Sequence, residues 1–179
     1  MYAWHKKYGK GCKCKTPHIT EDEIKEMFIK AANELFSEKD EIIENTKTMM
    51  EMVCNTDDLD KELGDKVAEL NIIAEQMQTA IAENSRTALD QNEYERRYAD
   101  LTERYNTIKA DYDKISEQIE SKKAQRELFK GFIRALEKQG ALVEEFDEGL
   151  WSSLVQEVVV NAKDDIRFIF KNGFEIKTR

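Results

Sequence analysis

Between Asp90 and about Leu136, apolar residues fall at Tyr94, Tyr98, Leu101, Tyr105, Ile108, Tyr112, Ile115 and Ile119, in steps that alternate four and three without a slip. That is the a/d seam of a coiled coil, about 3.5 residues per repeat. The intervening positions are almost all charged or polar, among them Glu95, Arg96, Arg97, Glu103, Arg104, Lys109, Asp113 and Lys114. A helix of roughly 45 residues, rising about 1.5 Å per residue, reaches about 70 Å. A body of this size cannot cover such a rod on all sides. Its one apolar seam must therefore meet another helix.

The partner is expected in the same chain. Just upstream run Leu59, Leu63, Val67, Leu70, Ile73, Met77 and Ile81, again in steps of three and four. Between the two runs lies the short polar stretch Glu83-Asn84-Ser85-Arg86-Thr87-Ala88-Leu89, which loses the periodicity. Asp90, with Glu93 three residues later, matches a helix N-cap and its reciprocal acid. Two seams joined by a short break fold back as an antiparallel helical hairpin. A stripe of Tyr and Ile at helical spacing is read as packing, not as a cofactor box. The tyrosine hydroxyls are expected at the seam's wet edge.

Composition agrees with elongated helices. Charged residues make up 36% of the 179 and hydrophobic ones 40%, and Pro17 is the single proline. The rest of the chain is free of the strongest helix breaker. The net charge of −9 argues against the whole chain being a nucleic-acid binder, but the charge is uneven. Residues 1–18 hold Lys6, Lys7, Lys10, Lys13 and Lys15 and no acid. This suggests a basic docking end and a solvated acidic arm. No apolar run is long enough to span a membrane, and the N-terminus lacks a signal peptide's apolar core. Cys12, Cys14 and Cys54 are an odd number, badly spaced for a disulfide framework. The expected location is cytoplasmic and reducing.

Taken in order, Tyr2-Ala3-Trp4-His5 reads as a short strand and Tyr8-Gly9-Lys10-Gly11 as a turn. Cys12-x-Cys14 lacks the two-residue spacing that zinc knuckles prefer, and no second cysteine pair follows. On the residues alone it is a reduced, partly exposed pair. Thr20-Glu21-Asp22-Glu23 is a capping box ahead of an apolar-periodic run. One helix is expected from about 21 to 54, with a break at Asn55-Thr56-Asp57. After Ile119 the residues Leu128, Phe129, Phe132, Ile133 and Leu136 form the broader face of a helix packed on a domain. Gly140 is the expected C-cap. Asp147–Val155 reads as a short helix, and Val158-Val159-Val160 turns to strand propensity. Asp165–Lys171, Asn172-Gly173 and Phe174–Lys177 read as a β-hairpin. The expected fold is mostly α with small β: a long antiparallel helical hairpin inserted in a small β-domain. The boundaries are 1–19 for the basic segment, 20–55 for a linking helix, 56–139 for the coiled-coil arm, and 140–179 for the short helix and closing strands.

Three stretches carry a family resemblance. They are Gly11-Cys12-Lys13-Cys14-Lys15-Thr16-Pro17-His18-Ile19 with the capped helix start after it, Asp90–Tyr98 after a helical turn, and the hairpin Phe168–Ile176 around Asn172-Gly173. In this order and spacing the chain resembles the C-terminal part of large serine recombinases, the phage integrases and mobile-element transposases. The resemblance implies a zinc ribbon that binds attachment-site DNA, with a coiled-coil arm inserted into it that pairs subunits. Cys14 matches the ribbon's last cysteine. Near Trp4 the family's cysteine is replaced by His5, Lys6 and Lys7, with Cys12 or His5 as substitutes. The family's early cysteine pair would lie upstream of Met1. The implied zinc site, with Cys12 and Cys14 as ligands, is therefore incomplete, and the catalytic serine domain is absent from this chain.

The expected function is thus a DNA-binding and subunit-pairing fragment of a site-specific serine recombinase, not itself an enzyme. Lys6, Lys7, Lys10, Lys13 and Lys15 are the candidates for phosphate contacts, which give salt-dependent grip more than sequence reading. DNA binding by the isolated chain is expected to be weak. Leu89 and Tyr94, at the arm's tip, are the candidates for contact with another copy; a directionality factor is a further expected partner, assigned to no residue. The competing expectation is a coiled-coil scaffold with no DNA role. An independent enzyme is disfavoured: only His5 and His18 offer neutral-pH proton transfer, and no glycine-rich phosphate loop appears.

Overall fold

A computed structural model describes residues 19–86, 90–140, 142–162 and 165–178. The strand expected at Tyr2–His5 and the turn at Tyr8–Gly11 lie outside the described residues. The described residues form two compact units: 19–47 together with 128–178, and 48–127 between them in sequence.

In the first unit, α1 (Glu21–Ser37) begins on the expected capping box. The Glu23 amide donates to Thr20 Oγ1 at 3.2 Å, and the Thr20 amide donates back to Glu23 Oε2 at 2.7 Å. Three acids in the first turn complement the helix dipole. The single helix expected over 21–54 is interrupted at Glu38, and α2 (Lys39–Val53) restarts after it. The physical reason lies in Ser37–Glu41, a polar run with no apolar side chain for a straight helix to bury. Breaking there lets Ile42, Ile43 and Thr46 turn inward alongside the α1 face of Phe28, Ala31, Ala32 and Leu35.

The C-terminal part of α4 (Gln91–Lys138) adds Phe129, Phe132, Ile133 and Leu136 to the buried side of this unit. Leu128, expected on the same face, is 52% exposed. The helix stops two residues before Gly140, which is not in the left-handed conformation of a glycine cap. The end is tied down otherwise. The Gln139 amide donates to Leu136 O, and Lys39 Nζ donates to Gln139 O. A few residues on, the Asn33 side chain brackets the Val143 backbone, donating to its carbonyl at 3.0 Å and accepting from its amide at 2.8 Å.

The short helix is present as α5 (Glu148–Leu154), capped by Asp147, whose Oδ1 accepts from the Leu150 amide. Three strands follow: β1 (Val155–Ala162), β2 (Asp165–Phe170) and β3 (Glu175–Thr178), antiparallel in the order β1-β2-β3. Their alternation sends Ile166, Phe168, Phe170 and Ile176 into the core. Phe28 sits at the centre, its ring 5.0 Å from Trp151, 5.8 Å from Phe146 and 6.2 Å from Phe168.

The hairpin forms where Asn172-Gly173 indicates, with a three-residue loop rather than a two-residue one. The Gly173 amide donates to Phe170 O and the Phe170 amide to Phe174 O. Among the described residues only Gly173 takes a positive φ, +83°. A left-handed residue after a turn is the usual closure of three-residue hairpin loops, and glycine adopts it without strain. Asn172 also bonds outward: its amide donates to buried Thr46 Oγ1 at 3.1 Å, and Thr46 donates to Ile42 O. At the opposite end of the hairpin from the loop, Asp165 accepts from Arg167 at 3.3 Å and pairs with Lys177 at 3.2 Å. Burial acts to raise the Asp165 carboxyl, but these two cations outweigh it and hold the group below its ordinary value.

The second unit holds α3 (Asp57–Arg86) and the first part of α4. The break before α3 falls as expected, with Asn55 Oδ1 accepting from the Asp57 amide at 2.8 Å. Asp90 caps α4 by accepting from the Asn92 amide at 2.9 Å. Three cross-links set the direction of the pair: Arg97 to Glu83 at 2.9 Å, Lys66 to Asp111 at 3.9 Å, and Lys122 Nζ to Val53 O at 2.5 Å. As one residue number rises the other falls, so the helices are antiparallel.

Candidate functional site

The arm, residues 48–127, is built on the α3 and α4 seams. On α4 the expected seam holds: Leu101, Ile115 and Ile119 are buried, while Tyr94, Tyr98, Tyr105, Ile108 and Tyr112 are half-buried. On α3 it holds in part. Val67 and Ile81 are exposed, at 42% and 49%. Their places are taken by Lys66 and Ala80. The occupied positions are Leu59, Leu63, Lys66, Leu70, Ile73, Met77, Ala80 and Asn84, an unbroken alternation of four and three. Reading for hydrophobicity picks the apolar neighbour at each slip, whereas the packed seam keeps the strict alternation that its partner helix imposes.

Lys66 is the residue that pattern reading missed. Its stem lies in the seam and its ammonium reaches out to Glu69 at 3.4 Å and Asp111 at 3.9 Å. The ammonium thus sits between two acids on one flank of the arm. A polar residue at one seam position fixes register at a cost in stability. Lys66→Leu is therefore expected to raise the arm's stability by about 1–2 kcal/mol. Thermal unfolding by circular dichroism checks this, and a lower midpoint in the variant would show that the ionic contact is net stabilising.

Near the turn, Tyr94 stacks on Tyr98, ring centres 5.9 Å apart and planes at 30°. Tyr94 is therefore partly spent on packing within the arm. Farther along, Lys109 pairs with Asp113 and lies 4.8 Å from the Tyr112 ring centre. Asp113, first of the influences, holds the Lys109 ammonium above its ordinary pKa. Leu89, and the lysines and cysteines of the basic segment (Lys6, Lys7, Lys10, Lys13, Lys15, Cys12 and Cys14), lie outside the described residues. Among the described residues no group of three or more His, Cys, Asp or Glu could hold a metal ion. Cys54 is buried. No helix of the described chain is long and apolar enough to cross a membrane.

The other unit carries a groove of about 320 Å³ lined by Glu21, Ile24, Lys25, Phe146, Glu148 and Trp151. Lys25 Nζ stands 5.2 Å from the Phe146 ring centre and 2.6 Å from Glu21 Oε1. The Glu21 hydrogen bond is the main reason the Lys25 ammonium is held above its ordinary pKa. The groove's one cation is thus already engaged by the chain itself.

No family model, curated protein or solved structure matches this chain.

Proposed function

We propose that this chain is the DNA-gripping and subunit-pairing part of a large serine recombinase, a protein that cuts and rejoins DNA in integration or transposition. One observation carries the reading. Residues 48–127 form an antiparallel arm of their own, while 19–47 and 128–178 close together as a separate unit. An arm inserted within the sequence of a compact domain is what the family resemblance calls for. A simple spacer has no need of the aromatic core and three-stranded sheet that flank it. In this reading the arm pairs subunits and the basic segment touches phosphates. No residue here is given a nucleophile's role. Zinc, if held, belongs with Cys12 and Cys14.

A gel-shift titration of the chain against duplex DNA tests the grip. Retardation is expected at low salt only. Each phosphate contact contributes a slope of about −0.9 in log affinity against log salt, so five lysines give a slope of about −4 to −5. Replacing Lys6, Lys7, Lys10, Lys13 and Lys15 by alanine is expected to abolish retardation. Binding that persists at high salt, or that survives the replacement, would contradict this assignment. No binding even at low salt would leave a coiled-coil interaction protein without a DNA role.

A further inference from the structure

The middle of α3 has a composition unlike the rest of the arm. Charged residues make up 36% of the chain, yet between Val67 and Ala82 the only ones are Glu69 and Glu75. The flank of the seam that holds Glu69, Glu83, Arg97 and Asp111 is ionic, and two of its cross-links have been described. The opposite flank of α3 presents Val67, Asn71, Ala74, Gln78 and Ile81, all exposed except half-buried Ala74. Coiled coils commonly place charges at such flanking positions, where they set the choice of partner. Here the flank is neutral and carries two exposed branched aliphatics, Val67 and Ile81.

Its order is also symmetric. Val67 and Ile81 each lie seven residues from Ala74. Asn71 lies three before Ala74 and Gln78 four after it. Farther out, small Gly64 on one side answers small Ser85 on the other. The stripe therefore reads the same in both directions as small, aliphatic, amide, alanine, amide, aliphatic, small. A two-fold interface has that requirement: if residue i of one copy meets j of the other, j must also meet i.

We propose that this flank is where the arms of two copies of the chain meet, α3 against α3, antiparallel about a two-fold axis at Ala74. The inference rests on the subunit-pairing reading above and names its surface. Val67 of each copy packs on Ile81 of the other. Asn71 faces Gln78, and their amides can bond to each other across the contact. Ala74 meets its own counterpart, where a small side chain lets two helices approach closely. Electrostatics favour the same partner. Each copy carries a net charge of −9, so two copies repel over most of their surfaces. A neutral stripe is where they approach without that cost. The stripe also borders the α3–α4 seam, so the docked helices extend an existing apolar core toward a four-helix bundle.

Sedimentation equilibrium of the full chain tests the contact with a charge exchange. Val67→Glu alone and Ile81→Lys alone each set a charge against an aliphatic and are expected to weaken self-association by at least about tenfold. With both substitutions in one chain, each introduced acid faces the partner's introduced base, and association is expected to recover most of the loss. Both sites are exposed, so helicity by circular dichroism is expected to stay at the parent value. Asn71→Lys with Gln78→Glu provides a second exchange on the same face. Self-association untouched by the single substitutions, or a double variant weaker than either single one, would overturn this surface while leaving subunit pairing in place. A parent chain that stays monomeric at every concentration would overturn both.

Discussion

Phe28→Ala is expected to remove a large share of the stability of the unit that holds the sheet. The ring is fully buried and touches three aromatic neighbours contributed by the loop before α5, by α5 itself and by β2. Deleting a buried phenylalanine side chain costs about 3–5 kcal/mol, because lost transfer energy and the residual cavity add. Small domains hold only about 5–15 kcal/mol in total, so the loss is a large share. The edge contacts to Trp151 at 5.0 Å and Phe146 at 5.8 Å disappear with the ring. Near-UV circular dichroism through a denaturant titration should show a much lower midpoint. Leu142→Ala is the control: Leu142 is 70% exposed, and its truncation should shift stability by no more than about 0.5 kcal/mol. Equal effects from the two substitutions would mean the aromatic cluster is not the centre of this core.

The second large effect is expected in the arm. Ile73 is 2% exposed at the middle of the α3 seam. Ile73→Asp places a carboxylate at a buried seam position, and an unpaired buried charge costs about 3–5 kcal/mol. Far-UV circular dichroism should show a large drop in the arm's melting temperature. Ile81→Asp changes the same residue type in the same helix, but Ile81 is 49% exposed. At concentrations too low for self-association its effect should stay within about 0.5 kcal/mol. The hydrophobic reading of the sequence puts Ile81 in the seam and predicts comparable losses. Comparable losses would therefore restore that register and remove the neutral flank proposed as the dimer contact.

Those two isoleucines mark where local information ends. Features settled within a few residues were legible in advance. Thr20 with Glu23, Asn55 before α3 and Asp90 before α4 each cap the helix they precede, because a side-chain oxygen and a nearby amide need no distant partner. Asn172-Gly173 turns the hairpin because glycine tolerates the left-handed residue the loop requires. The α4 seam was legible because its eight apolar positions coincide with an unbroken 4-3 count. The proposed functional residues at the chain's start rest on the resemblance, since they fall outside the described residues.

What only the tertiary structure decided is which of two neighbours faces inward. Lys66 rather than Val67, and Ala80 rather than Ile81, enter the seam because the partner helix fixes the register, and Asp111 on that partner gives the lysine an acid to reach. The break at Glu38 follows from a core that needs Ile42 and Ile43 turned inward; the polar run Ser37–Glu41 permits a break but does not demand one. Gly140 is spared the capping role because Lys39 reaches the Gln139 carbonyl instead. The Asn33 bracket on Val143 joins residues far apart in sequence, and the ring cluster around Phe28 gathers side chains from three more separate segments. Periodicity and capping depend on near neighbours along the chain. Register, helix breaks and shared cores depend on what the rest of the chain brings to meet them.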